Sequence, residues 1–298
     1  MERPAIRTAL VGHGYWGSKL FRYLADDDRF LVTRVCDSVA RYERAIGDFD
    51  AAVVATPIGT HFEVAGGLLS AGKHVLCEKP LAVRTEDCLK LKRLAEDNGV
   101  VLGVEYTWTF SKALMTATSV DIGNVVGVEL DHFHLGRFVD WDVYWLLASH
   151  MLSILAMFVP LDGLDFERRD IVVDGNRVET GAIFFSGGGV RGRIGIGLNY
   201  PGKYTKVVVY GTGGTITYEP LAEKNLRIVR YQKIPGALPD ELVEDAAEYN
   251  YDETNNIARA LGYFHSLVGG RAESNVNTAI DITRILEGLC AERILHSD

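Results

Sequence analysis

An α/β domain followed by an α+β domain is the fold class that the 298-residue sequence predicts, and three observations carry it. Through residue 105, short apolar runs alternate with helix-patterned stretches, as in a parallel, doubly wound sheet. The first run feeds directly into Gly12-His13-Gly14-Tyr15-Trp16-Gly17, glycines spaced as at a tight strand-to-helix turn. Beyond residue 125 the apolar runs are separated by Gly187-Gly188-Gly189 and Gly213-Gly214, which suit hairpins in a mostly antiparallel or mixed sheet. The expected division is a Rossmann domain over 1–105 and an α+β domain with a large open sheet over 106–298.

Taken in order, Ala5–Val11 reads as a buried strand and Tyr15–Ala25 as the helix after the glycines. Phe30–Cys36 is a second strand ending at Asp37, and Ala51–Ala55 is apolar throughout, as a strand covered on both faces should be. Thr60–Ala71 is helical, with Gly72 where a C-terminal cap is wanted. His74–Cys77 is the next strand, and Thr85 is expected to cap a helix whose inward stripe is Cys88, Leu91 and Leu94/Ala95. Val100–Val104 completes this half. In the second half, Val125–Leu135 is extended and Val143–Phe158 helical. Strands follow at 171–173, 178–186, 190–198, 207–210 and 215–218, and two helices, roughly 254–267 and 277–295, close the chain. The acids between Asp240 and Asp252 read as a solvated run.

Composition narrows the function classes. The chain is 47% hydrophobic and 24% charged, ordinary for a globular protein, while its net charge of -9 argues against a nucleic-acid partner. No apolar stretch is long enough for a membrane span. Cys36, Cys77, Cys88 and Cys290 form no C-x-x-C pattern, and Met1-Glu2-Arg3-Pro4 runs straight into a strand, so reduced thiols and a cytoplasmic setting are expected.

Three glycines at this spacing let the turn tighten, let the backbone approach a pyrophosphate and let the helix pack on the strand. Asp37, closing the second strand, is placed to accept from a ribose 2′-OH, which favours NAD; Arg41 and Arg44 leave NADP open. The short span from Asp37 to Ala51 suggests a trimmed adenine side. Lys79 follows a strand end, where open α/β sheets hold their ligands, and an ammonium there can stabilise an alkoxide. His132 and His134, two apart on one strand, share a face, but no carboxylate or cysteine completes a ligand set and no metal is expected.

Gly12–Gly17, Ala55-Thr56-Pro57-Ile58-Gly59-Thr60-His61 and Ala71-Gly72-Lys73-His74-Val75-Leu76-Cys77-Glu78-Lys79-Pro80-Leu81-Ala82 together resemble the Gfo/Idh/MocA oxidoreductase family. The Gly-Tyr-Trp-Gly variant, with Leu135-Gly136-Arg137, further resembles its subgroup acting on nucleotide-linked amino sugars or sugar acids. The resemblance implies that Lys79 and His150 are catalytic, the histidine contacting the reacting hydroxyl. It implies that Gly12, Gly14, Tyr15, Trp16, Gly17, Asp37, Thr56, Pro57, His61, Glu78 and Lys79 bind the cofactor. Arg137, Tyr144, His150 and Lys203 would border the substrate.

One departure stands out. Where the family typically has an Asp, four residues before the histidine, this chain has Leu146, and Met151 replaces an acid often found just after it. Asp140, Asp142 and Tyr144 lie close in sequence, yet on a helix Asp142 would sit two turns from His150. The expected activity is hydride transfer, NAD(P)-dependent, to or from a secondary alcohol or ketone of a sugar, nucleotide sugar or cyclitol. The alternative is a catalytically impaired dinucleotide- or sugar-binding sensor or scaffold. A homodimer or homotetramer is expected, with the open sheet as packing surface.

Overall fold

The computed structural model describes residues 4–37, 47–136, 141–236, 238 and 243–291. Arg41, Arg44, Arg137 and Asp140, singled out above, lie outside them. The chain forms two compact units, Met1–Thr107 with Asn255–Glu287 and Trp108–Thr254 with Gly288–Asp298. The first crossing falls close to the expected boundary at 105, but residues 255–287, expected in the second domain, return to the first.

The first unit is a five-stranded sheet, β1 (Ile6–Val11), β2 (Phe30–Cys36), β3 (Ala51–Val54), β4 (His74–Glu78) and β5 (Leu102–Glu105), in the order β2-β1-β3-β4-β5. Every pairing is parallel. Ala51–Val54 and Leu102–Glu105 are buried along their whole length, which is why they read as unbroken runs rather than as alternation. Leu20 and Leu24 of α1 (Tyr15–Ala25) pack with Leu10, Phe30 and Val53, and the helix Asn256–Val268 completes that cluster with Ile257, Leu261, Phe264 and Leu267. Phe30 and Phe264 stack at 6.2 Å between ring centroids. Strand β5 is the edge of this sheet, and Asn275 covers it by bonding both the N–H and the C=O of Val104, each at 2.8 Å.

Thr85 does not cap its helix (Thr85–Asp97) as expected. Arg84 holds the cap position without a side-chain bond, and Glu287 instead accepts from the Thr85 N–H at 2.8 Å and from its hydroxyl at 2.6 Å. A distant carboxylate thus supplies the anion that a local cap would have supplied.

The second unit is an eight-stranded sheet of β6 (Val125–Leu135), β7 (Asp165–Asp174), β8 (Arg177–Gly187), β9 (Val190–Gly197), β10 (Asn199–Gly211), β11 (Gly214–Tyr218), β12 (Leu226–Tyr231) and β13 (Val243–Tyr249). Its order is β13-β12-β11-β10-β6-β9-β8-β7, antiparallel except where β6 meets β9. This bears out the expected mostly antiparallel sheet. Strands β12 and β13 were not anticipated: part of the acidic run is an exposed edge strand whose Asp245 meets Arg230 at 2.8 Å. Charge along an edge discourages further strand addition.

The predicted helix at Val143–Phe158 opens with a π-helical turn, Tyr144–Ala148, before the α-helix Ser149–Phe158. Asp142 anchors that turn, accepting from the Val178 N–H at 2.6 Å and lying 3.6 Å from the Arg168 guanidinium. Its carboxylate thereby ties the π turn to β7 and β8. Asp142→Ala strips a buried N–H of its acceptor and is expected to cost about 1–3 kcal/mol. A thermal melt of the variant, with Tm lowered by several degrees, checks this.

Candidate functional site

The switch point of the first sheet lies at β1, whose neighbours β2 and β3 are reached by connections running to opposite sides. Gly12, at the end of that strand, has φ +97°, and a Cβ there would come 2.5 Å from the Ala55 carbonyl group. A Cβ on Gly17 would come 2.0 Å from the Gly12 oxygen. Both glycines are thus demanded by close packing of turn, helix and strand. Gly14 differs: it is exposed, its φ is -78°, and a Cβ there would meet nothing within 4 Å. Its bare Cα leaves room for a ligand at the helix start. Gly14, at the cap position of α1, brings no side chain, and no acid stands in the helix's first turn.

Tyr15 is 67% exposed, with the Lys19 ammonium 4.5 Å from its ring centre. Trp16 donates its indole N–H to Glu78, tying the glycine turn to the end of β4. Asp37 is exposed directly after β2, whose last carbonyl, on Cys36, accepts from the Gly12 N–H at 2.7 Å. Thr56 follows β3, and its buried hydroxyl has no hydrogen-bond partner among the described residues. The exposed Pro57 starts the 3₁₀ turn Ile58–Thr60, its carbonyl accepting from Thr60 at 2.9 Å. An open helix N-terminus, a glycine facing space and an orphan hydroxyl at neighbouring strand ends fit a dinucleotide.

His61 is 1% exposed, and its ring nitrogens contact the carbonyls of Pro80 at 2.7 Å and Thr56 at 2.8 Å. Burial lowers its pKa, and the two carbonyls at its ring nitrogens oppose that shift. Its visible role is to brace the two turns that flank Lys79, rather than to face a cleft itself. Lys79 is half-buried after β4 and precedes a cis Pro80. Glu78, beside it, is buried and carries a raised pKa, chiefly through burial and then through the neighbouring Glu105.

In the second unit, His150 lies in the first turn of Ser149–Phe158 and is half-buried. Leu146 sits in the π turn before it. His132, weighed in the sequence only as half of a histidine pair, lies beside His150. Its ring stands at 6.2 Å and 79° to that of His150, 6.0 Å from His134 and 5.8 Å from Trp108. Its Nδ1 contacts the Thr205 hydroxyl at 2.8 Å across the β6–β10 pairing. The shared face of His132 and His134 was legible; that it packs on the His150 helix was not. No group of three or more metal-ligating side chains occurs among the described residues.

Two of the expected substrate contacts, Tyr144 and Lys203, fall in this unit. Tyr144 is fully buried, its hydroxyl donating to Asp170 at 2.9 Å, with Arg168 lying 4.2 Å over its ring. That hydroxyl serves the packing of the π turn on β7. Lys203 is exposed on β10.

Residues 41–106 match the Gfo/Idh/MocA family model, described as an oxidoreductase family with an NAD-binding Rossmann fold. The match holds the Thr56–His61 and Glu78-Lys79-Pro80 segments, and the resemblance read from the motifs is borne out. The chain is 36% identical to the uncharacterized oxidoreductase YfiI of Bacillus subtilis (strain 168) over 85 residues, 27% of this chain and 22% of that protein. It is 26% identical to 1,5-anhydro-D-fructose reductase of Ensifer adhaerens over 276 residues, 85% of this chain and 80% of the enzyme. The first two curated relatives are matched over only 22% and 37% of their own lengths. UDP-N-acetylglucosamine 3-dehydrogenase GnnA of Acidithiobacillus ferrooxidans superposes with a TM-score of 0.84 at 15% identity, covering 96% of this chain and 97% of that one. At that identity the likeness speaks for the fold.

Proposed function

We propose, with the Gfo/Idh/MocA resemblance as premise, that the protein is an oxidoreductase, NAD(P)-dependent, acting on a secondary alcohol or ketone of a sugar, nucleotide sugar or cyclitol. The single observation that carries the reading is Lys79 at the carboxyl end of β4, in a sheet whose switch point bears the glycine turn. The name of one relative, a 1,5-anhydro-D-fructose reductase, supports a sugar-type substrate. The rival reading, a non-catalytic sensor or scaffold, rests on Leu146, Met151 and the short span from Asp37 to Ala51.

A bound nicotinamide would supply the hydride donor or acceptor. The chain's own residues do the rest. Gly12, Gly14 and Gly17, with the open start of α1, would take the pyrophosphate; Tyr15, Trp16, Thr56 and Pro57 would flank it, and Asp37 would select the free ribose 2′-OH. The Lys79 ammonium would hydrogen-bond the substrate oxygen and stabilise its developing negative charge. His150 would hold or release the proton, with Arg137 and Lys203 as substrate contacts. A titration with NAD⁺, NADH, NADP⁺ and NADPH tests the reading; failure of all four to bind would overturn it.

His132 is the polar neighbour of His150 in a chain without the usual acid, and its removal should register in the pH profile. His132→Phe keeps the aromatic packing but removes the ring nitrogens. It is expected to lower kcat by roughly a hundredfold, the low end of what proton-transfer assistance contributes, and to move the pH optimum. A pH–rate profile that superposes on the wild type would remove His132 from the scheme. The open face of the second sheet carries Tyr200 and Phe184, each 45% exposed, and is the surface on which a homodimer or homotetramer would pack.

A further inference from the structure

Two buried carboxyl groups face each other at the end of the first sheet. Glu78 closes β4 and Glu105 closes β5, and the parallel register sets them opposite one another. They are 8% and 1% exposed. Glu105 Oε2 accepts from the Thr107 hydroxyl at 2.6 Å, while its Oε1 is buried with no donor beside it among the described residues. Glu78 Oε1 accepts from the Trp16 indole. The side chains interact directly, so an acceptor-only oxygen stands against another acceptor. Two ionised carboxylates in that position would repel one another in a poorly solvated site. One proton between them removes the repulsion and gives the bare oxygen its partner.

We infer that Glu78 and Glu105 hold a single proton between them, making Glu105 a positioning residue that keeps the Glu78 carboxyl on the Trp16 indole and limits the charge beside Lys79 to one unit. The inference rests on the proposed function only in giving Trp16 and Lys79 their cofactor and substrate roles. Raised pKa directions for both groups agree with it, with burial the largest cause in each and Lys79 opposing. The other groups acting on the pair are Thr107, the indole of Trp16 and the buried Cys77 thiol, whose own pKa is raised well above the usual range. Because the folded pair keeps a proton that an unfolded carboxyl loses in mild acid, the stability it contributes falls as pH rises from the ordinary carboxyl range to the raised folded pKa.

The test is infrared spectroscopy of the whole protein, without added dinucleotide, at neutral pH. A protonated-carboxyl C=O band is expected in the wild type and is expected to be lost in both Glu105→Gln and Glu78→Gln. Each is isosteric, and circular dichroism verifies the fold. Glu105→Gln is also expected to flatten the fall of Tm with rising pH. Absence of the band in the wild type, or its survival in both variants, would overturn the inference. A protein that shows this pattern yet binds no dinucleotide would keep the shared proton and overturn the functional reading instead.

Discussion

Lys79→Met is expected to lower turnover by roughly 10²–10⁴-fold, the range that a positioned proton-handling group contributes, with dinucleotide affinity changed only a few-fold. The methionine keeps the length and apolar stem of the lysine, so the packing around β4 should survive. What disappears is the ammonium beside Glu78 and Glu105, and with it the donor for the substrate oxygen. Steady-state kinetics separate the two effects from calorimetric binding of NADH. A loss confined to kcat would fit charge stabilisation in the transition state. Near-normal turnover would remove Lys79 from the chemistry and, with it, the main support for the enzymatic reading.

The three glycines should respond in two distinct ways, and this second effect is as large. Gly17→Ala and Gly12→Ala force a Cβ to 2.0 Å and 2.5 Å from backbone atoms, so each should destabilise the fold by about 1–3 kcal/mol or more. Gly14→Ala meets nothing within 4 Å in a conformation alanine accepts. Its stability should stay within about 0.5 kcal/mol of the wild type. A bound pyrophosphate would meet the new methyl, however, and a cost of about 1–3 kcal/mol is roughly a tenfold to hundredfold rise in Kd. Melts and titrations of the same three proteins decide it. Unchanged affinity in Gly14→Ala would place the phosphates elsewhere.

What could be read from the chain alone follows from how local each signal was. Strands β3 and β5 are buried throughout, so their apolar runs needed no partner to be recognised. The glycine turn was legible because close approach permits almost no other residue. The pairing of Glu78 with Glu105 was invisible because it depends on the register of two strands joined through a helix. The contact of His132 with His150 depends likewise on a helix lying across a sheet. Thr85 was misread as a cap because its carboxylate comes from Glu287, far along the chain. Strand β12, six residues long and interrupted by Arg227 and Arg230, and the polar edge strand β13 carry too little continuous apolar signal to stand apart from loop.

The return of residues 255–287 to the first unit bears on how the polypeptide is made. Leu10, Leu24 and Phe30 leave the ribosome early, but Leu261, Phe264 and Leu267, which cover them, are synthesised only after the whole span from Trp108 to Thr254. At translation rates of roughly 5–20 residues per second, the nascent nucleotide-fold half waits on the order of 10 s with an apolar flank uncovered. It is a natural client for a holdase during that interval, and a fragment ending at Thr107 should be recovered as aggregate rather than as an autonomous domain.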